Sequence, residues 1–334
     1  QGPVARSESV DTASGGERSD ESGAGGVTTA PSSTTGPPST TGPVGDAGPT
    51  TTYPPVTGET TPAPPGVAAV LSPSGVLVRV TGETATGYVV ETPCGGVTAV
   101  PWGTPVGPVQ VVIDPGHGGD ERGAVGESGL TEAELNLTLA RRTAAELTRR
   151  SIPVVLTRNG DYRIPITGRA ALADALAPAA FVSIHHNTPA SAPSPTPGTE
   201  VFVQSSSDTS RRLGGLLYAS VVAELSRFDV EWTARSDAGV LTVIDDDGED
   251  AYGINRYPTT PSALVEMAYL GNPKEEALLA TEDYLGVASV ALADGLERFL
   301  GSDEVGSGFV DTPRSANPGT ATGGTSGCID PDLE

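Results

Sequence analysis

The chain has 334 residues, a formal net charge of -23 and a sequence pI near 4.3. This acidic balance argues against nucleic acid as a partner, because proteins that bind the phosphate backbone use Lys and Arg to displace counterions. No stretch of the sequence approaches the ~18 consecutive apolar residues of a membrane-spanning helix, so we expect no membrane span. The chain begins at Gln1 without a basic segment followed by an apolar core, and we expect any export signal to have been removed.

Residues 1–65 contain no Leu, Ile, Phe, Met or Trp and consist mainly of Thr, Pro, Gly, Ser and Ala. Such a segment buries too little apolar area to offset the entropy lost on ordering, so it is predicted to be a disordered spacer. Taken alone, this spacer would also fit a glycosylated stalk that carries a passenger domain. Residues 301–334 have a similar composition, and we predict a flexible C-terminal tail there.

Residues 66–108 are predicted to form a small β unit. Three short β-branched runs, at 76–80, 87–91 and 97–100, are separated by Gly and Pro at the spacing of hairpins.

From residue 109 the pattern changes to alternating strands and helices, which predicts an α/β domain over 109–300. Its sheet is expected to be twisted and mostly parallel or mixed, with helices on both faces. The predicted strands cover 109–113, 153–157, 180–184, 200–204 and 262–268, and the predicted helices cover 132–150, 167–177, 208–227 and 281–300. The pattern breaks at 235–258, where an acidic insertion carries five carboxylates within 245–250. We interpret this segment either as a solvated surface loop or as a mobile lid.

All three histidines of the chain lie in two short motifs, each placed directly after a predicted buried strand. His117 belongs to the glycine-rich motif at 114–119, and His185 and His186 belong to the motif at 183–187. Ligands of open α/β sheets gather at the carboxyl ends of the strands, so these imidazoles are expected at one edge of the sheet. Singly, each could be an ordinary core or surface histidine. As a set they predict a metal site.

Two acidic residues complete this hypothesis. A hydrolytic metal held by two histidines usually takes a carboxylate as its third ligand, and Glu132 starts the helix that follows the His117 loop. The capping box of that helix pairs Thr131 with Glu134, which leaves Glu132 free; the alternative role for Glu132 is a favourable interaction with the helix dipole. Glu266 lies in an apolar strand, where it is either a general base and acid or a residue that faces solvent.

These motifs resemble those of the zinc-dependent N-acetylmuramoyl-L-alanine amidases, which cut peptidoglycan. The resemblance covers about 109–300 and rests on several ordered segments: residues 111–119, 129–132, 156–158 with Arg169, 183–187, 264–266 and 270–273. Carried over residue by residue, it implies that His117, Glu132 and His185 bind Zn²⁺ and that Glu266 acts on the zinc-activated water.

The resemblance further implies a peptidoglycan hydrolase, exported to the extracellular space, cell wall or periplasm, that cleaves the amide between N-acetylmuramic acid and L-alanine. His186 stands where many members have a small residue. We interpret His186 and Asn187 as residues that either support the ligands from behind or face the substrate. No regulator can be named from the sequence.

Two competing functions share parts of this pattern. Two histidines and one carboxylate also hold iron in oxygenases, but those sites lie mostly on β-barrels. A non-catalytic wall-binding module could retain the zinc site, although such a module would not need Glu266.

Cys94 and Cys328 are the only cysteines of the chain. In an exported protein we expect them to form a disulfide that ties the C-terminal tail to the β unit, and in a reducing compartment we expect two free thiols.

Overall fold

A computed structural model describes residues 53–54, 56–188, 191–317 and 323–334. Of the spacer predicted for 1–65, residues 1–52 and 55 lie outside the described residues. Across the described ranges, none of the helices is both long enough and apolar enough to cross a membrane.

The small β unit is an antiparallel sheet with the strand order β5-β4-β3-β2-β6, and β1 pairs with β3. Its strands are β1 Thr61–Pro62, β2 Ala69–Leu71, β3 Leu77–Thr84, β4 Gly87–Glu91, β5 Val97–Pro101 and β6 Thr104–Pro105. The three runs identified in the sequence correspond to β3, β4 and β5. Alternate valines of these strands, among them Val78, Val90 and Val100, form the core of the unit.

The remaining elements alternate as the hydrophobic pattern indicates. The strands are β7 Val111–Pro115, β8 Val154–Leu156, β9 Ala180–Asn187, β10 Ala192–Ser194, β11 Glu200–Val203, β12 Trp232–Ala234, β13 Val240–Leu241, β14 Val243–Ile244, β15 Ser262–Tyr269 and β16 Arg314–Ser315. The helices are α1 Glu132–Arg149, α2 Ile166–Leu176, α3 Asp208–Leu225, α4 Gly253–Arg256, α5 Pro273–Leu279 and α6 Glu282–Gly301.

The central sheet is mixed, with the strand order β13-β11-β15-β9-β7-β8 in the described part of the chain. β8, β7, β9 and β15 run parallel to one another, whereas β11 is antiparallel to β15. The carboxyl ends of β7, β9 and β15 therefore lie side by side at one edge of the sheet. This confirms the predicted α/β architecture and the placement of both histidine motifs at that edge.

Helices cover both faces of this sheet, as predicted. Val111 and Ile113 of β7 point into one core, which they share with α1, α3 and α6. Val112, between them, points to the opposite face and packs with α2 and α4. This alternation follows from the two-residue period of a strand, and it explains why β7 is apolar at every one of these positions.

Helix α1 begins where the sequence indicates. The side chain of Thr131 accepts a hydrogen bond from the backbone of Glu134, and the Glu134 side chain accepts one from the Thr131 backbone. This capping box satisfies two of the free donors of the first turn. Glu132 is left without a capping role, and its side chain is free to point toward the edge of the sheet.

The C-terminal residues differ from the predicted flexible tail. In the described ranges 301–317 and 323–334, Phe309 packs against the core of α3 and α6, and Leu333 is fully buried in the core of the β unit. A disulfide joins Cys94 to Cys328, which confirms the expected pairing. The tail is held because a few apolar residues and one cross-link anchor an otherwise polar segment. The division at 66–108 and 109–300 stays a prediction.

Candidate active site

The two histidine motifs meet because β7 and β9 are parallel neighbours. Asp114 pairs with Ser183 in register, and the backbone N–H of Gly116 donates to the carbonyl of Ile184 at 3.0 Å. His117 follows directly and adopts a φ of 60°, in the left-handed region that non-glycine residues rarely occupy. This sharp turn at the end of β7 places the imidazole beside that of His185, with the ring centroids 4.9 Å apart.

Two glycines make room for these rings. A Cβ at Gly116 would lie 2.2 Å from the ring of His185. A Cβ at Gly123, which has a φ of +67°, would lie 2.4 Å from Oε2 of Glu132 and 2.6 Å from the ring of His117. Space therefore requires glycine at both positions, and at Gly123 the positive φ requires it as well.

Glu132 lies between the two histidines at the start of α1. Its Oε2 is 3.1 Å from Nε2 of His117, and its Oε1 is 2.9 Å from Nδ1 of His185. The three side chains each offer one donor atom, and these atoms all lie within 4.8 Å of one another, which is compact enough for a metal ion. The structure thus brings together the three residues that the sequence predicts as ligands.

The protonation states at this cluster suit metal binding. Burial alone would raise the pKa of Glu132, but hydrogen bonds and charge from His117 and His185 hold it well below its ordinary value. Burial lowers the pKa of His185, although Glu132 opposes that shift. A carboxylate and a neutral imidazole are the forms that bind metals.

Two buried arginines hold the backbone of the His117 loop. Arg158 is fully buried and donates to the carbonyls of Pro115 and Gly116, and also to Ala133 at the start of α1. Arg169 donates to the carbonyl of His117 at 2.7 Å. Through these bonds the guanidinium groups fix the loop relative to α1, which explains the arginine positions of the sequence motif.

Asp114 of β7 also holds the His117 loop in place. It is buried and accepts hydrogen bonds from Arg169 at 2.6 Å, Thr157 at 2.5 Å and Ser183 at 2.6 Å. Burial alone would raise the pKa of Asp114, but the Arg169 charge and these hydrogen bonds outweigh it and hold the pKa below its ordinary value. The sequence contained Asp114 within the motif but gave no indication of this structural role.

Glu266 lies on β15, which is the neighbour of β9 in the central sheet. It pairs in register with His185, so both side chains lie on the same face of the sheet. Its Oε2 is buried and has no hydrogen-bond partner among the described residues. Burial raises the pKa of Glu266 well above its ordinary value, and the charges of Glu132 and Glu200 raise it further.

Glu200 is a second buried carboxylate that sequence reasoning missed. It pairs in register with Glu266 and is fully buried. It accepts hydrogen bonds from Asn187 at 2.7 Å and from Arg314, in the C-terminal segment, at 2.5 Å. Arg314 also binds Asp237. Nothing near Glu200 in the sequence indicates this partner, since Arg314 is 114 residues away.

His186 occupies a different place from the substrate-facing one that we considered. It is 1 % exposed and points to the opposite face of the sheet, where its Nδ1 lies 2.8 Å from Oδ1 of Asn136 and its Nε2 lies 2.7 Å from the Tyr284 hydroxyl. Its backbone N–H donates to Glu132 at 3.2 Å. His186 therefore contacts the ligand cluster only through its backbone bond to Glu132, and its side chain has no access to substrate.

A cavity of about 230 Å³ opens in front of the cluster. Its lining combines two of the candidate ligands and Glu266 with apolar side chains and one glycine of the C-terminal segment, and includes His117, His185, Glu266, Ile166, Leu264 and Gly323. A site with converging polar groups in a partly apolar cleft is the arrangement expected of an enzyme active site.

The sequence of residues 111–298, more than half of the chain, matches the family model described as N-acetylmuramoyl-L-alanine amidase. The chain therefore belongs to the N-acetylmuramoyl-L-alanine amidase family. The matched region contains every residue of the cluster and Glu266.

Two curated proteins are similar in sequence to this chain. The chain is 30% identical over 232 residues to the N-acetylmuramoyl-L-alanine amidase AmiC of Neisseria meningitidis, with 57% of this chain and 52% of that protein covered. It thus spans about half the length of this relative. It is also 30% identical to the uncharacterised protein YqiI of Bacillus subtilis, with 62% of this chain and 94% of that protein covered.

The amidase fold is also found among solved structures. The crystal structure of an N-acetylmuramoyl-L-alanine amidase from Clostridium difficile 630 is similar with a TM-score of 0.50 and 28% identity, covering 59% of this chain and 98% of that one. Both the sheet and its helices in 109–300 therefore have counterparts in this family.

Proposed function

We propose that the protein is a zinc-dependent peptidoglycan hydrolase that cleaves the amide between N-acetylmuramic acid and L-alanine of the stem peptide. The observation that supports this most directly is the cluster of His117, Glu132 and His185 beside Glu266, whose Oε2 lacks a partner among the described residues. The family relatives carry the same activity in their names.

The donor set fits zinc. Two imidazole nitrogens and one carboxylate oxygen, leaving room for water or substrate, are a usual ligand set of catalytic zinc. A Cβ at Gly116 or Gly123 would clash with the side chains of the candidate ligands, so these glycines allow the ligand side chains to converge. When bound, zinc supplies a Lewis acid that polarises the amide carbonyl and makes water more acidic.

The chain's own residues account for the proton transfers. Glu266 faces the cavity, where its carboxylate would take a proton from the attacking water and pass it to the leaving nitrogen. The hydroxyl of water joins the lactyl carbonyl carbon, the C–N bond breaks, and L-alanine leaves with a neutral amino group. The raised pKa of Glu266 places it nearer to the operating pH than an ordinary glutamate, which suits this exchange.

We also propose that the protein acts outside the cytoplasm, in the extracellular space, the cell wall or the periplasm. Peptidoglycan is found there, and the Cys94–Cys328 disulfide is of a kind that persists in oxidising compartments.

Digestion of purified peptidoglycan, with and without a chelator, tests the proposal. Mass analysis of the products should detect new L-alanine amino termini, and these should disappear with the chelator and return when zinc is added. New reducing ends would indicate a glycosidase and contradict the proposal. Binding to peptidoglycan without any cleavage would indicate a wall-binding module instead.

A further inference from the structure

Gly323 of the C-terminal segment forms part of the wall of the active-site cavity. The backbone N–H of Gly323 donates to Oε1 of Glu121 at 2.8 Å, and its carbonyl accepts from the N–H of Ile166 at 3.1 Å. Ile166 is the first residue of α2, whose N-cap Pro165 supplies no side-chain hydrogen bond, so Gly323 satisfies an otherwise free donor of that helix.

The contact between Gly323 and Ile166 is tight. A Cβ at Gly323, which has a φ of +83°, would lie 2.4 Å from Cδ1 of Ile166. Only a glycine allows the backbone to approach this closely. Both residues line the catalytic cavity of about 230 Å³ and also a second cavity of about 560 Å³. Tyr252 and Gly253 line both cavities as well, so these four residues stand between the two.

The segment beyond Gly323 is anchored at several points. Arg163 donates to the carbonyl of Ser326 at 2.9 Å, and the disulfide fixes Cys328 to Cys94. Asp330 then accepts hydrogen bonds from Thr92 and from the Cys94 backbone. A segment held in this way forms a fixed wall of the cavity.

We propose that the contact between Ile166 and Gly323 is a partition that selects substrates by the size of their peptide. This inference rests on the proposed function. A glycan strand continues in both directions from each muramic acid and cannot end at this wall, whereas a stem peptide that is not cross-linked has a free end. The partition therefore favours muropeptides with free stem peptides over those whose peptides are cross-linked.

The test compares kcat/KM for two purified muropeptides, an uncross-linked monomer and a peptide-cross-linked dimer, using the full chain loaded with zinc. Ile166→Ala shortens the side chain that contacts Gly323 between the two cavities and should raise the dimer-to-monomer ratio by about tenfold, the scale on which a pocket contact discriminates between substrates. Ile329→Ala is the matched control, because Ile329 is 46% exposed and lines neither cavity, and the ratio should not change.

Loosening the anchor provides an independent variant. Cys94→Ser combined with Cys328→Ser should raise the same ratio and speed hydrogen exchange at the Ile166 amide, whose acceptor is Gly323. Ser74→Ala removes a hydrogen bond to the carbonyl of Asp332 beyond the disulfide, and it should change neither measurement.

An unchanged ratio in a folded Ile166→Ala protein would overturn the partition. If that variant does not fold, Ile166→Val should give a smaller rise in the same direction, and no rise would again overturn it. If the wild-type chain cleaves neither muropeptide, the proposed hydrolysis fails, and the ratio of the two dissociation constants, measured by calorimetry on the same variants, then decides the partition separately.

Discussion

His185 and His186 are adjacent on β9, yet the structure gives them opposite surroundings. The side chain of His185 lies at the cavity and contacts Glu132. The side chain of His186 lies in the core on the other face, between Asn136 and Tyr284. The face of the strand, and not the residue type, decides which histidine can reach a ligand. The comparison extends to their neighbours, since Ser183 shares the cavity face and binds Asp114.

Exchanging each histidine for alanine is the strongest test of this difference. His185→Ala should abolish zinc binding because it removes a proposed ligand. His186→Ala should weaken zinc binding by no more than about tenfold, at the low end for residues that support a ligand, because its bond to Glu132 comes from the backbone. Metal content after dialysis and calorimetric titration would measure both. Equal loss of zinc in the two variants would contradict the assignment by face.

Glu266→Gln tests the cavity face without touching the ligands. Turnover should fall by roughly 10²–10⁴-fold, the usual contribution of a general acid–base group, while zinc content is retained. Thermal stability should stay the same or rise, because a neutral amide costs less to bury than a carboxylate without a partner. Unchanged turnover would rule out the proposed role.

Asp114 tests the buried hydrogen bonds that support the His117 loop. Asp114→Asn leaves Arg169 without its buried partner and should lower the free energy of unfolding at pH 7 by about 3 kcal/mol. The pKa of Asp114 is lowered in the folded state, so its stabilisation is present at neutral pH and is lost as the pH falls through that value. The difference between wild type and variant should therefore shrink in acid.

Chemical denaturation at pH 7 and at pH 3 would measure this effect. Asp311→Asn is the control, since the Asp311 side chain is 92% exposed and its bond to Arg211 should contribute little at either pH. A constant difference between Asp114→Asn and wild type across this range would contradict the linkage.

Tyr284→Phe tests the core face and should have the smallest effect. It deletes the hydroxyl that binds Nε2 of His186, and we expect a loss of about 1 kcal/mol of unfolding free energy with zinc binding unchanged. Tyr257→Phe, at a residue that is 50% exposed, is the control for the substitution itself. A large loss of zinc in Tyr284→Phe would show that the two faces are coupled more strongly than the hydrogen bonds indicate.

Much of this arrangement follows from the sequence. The apolar run of β7, the capping box of α1 and the glycines around His117 predict the edge at which the histidines meet. The position of His186 was also predictable, because a two-residue period that brings His185 to the cavity sends the next residue to the core. We had left its orientation open, and the structure removes the substrate-facing alternative.

Other features could not be derived from local pattern. Helix α5 at Pro273–Leu279 is only seven residues long and gives a weak periodic signal. The hydrogen bonds from Arg314 to Glu200 and from the Ile166 N–H to the Gly323 carbonyl join residues more than 100 positions apart in the chain. The polar segment 301–334 has the composition of a flexible tail. Only its long-range contacts hold part of it against the active-site cavity.

The disulfide gives the chain a property that depends on topology alone. Cys94 and Cys328 are separated by 234 positions, so the region between them, with the entire central sheet, is a covalent ring. A protease that cuts this ring once leaves both pieces attached, and the nicked chain would migrate as two fragments only after reduction. In the chain-entropy description, closing so long a loop also restricts the unfolded state by on the order of 5 kcal/mol. At the extracellular location that we propose, the protein would thereby survive a single proteolytic cleavage as one molecule.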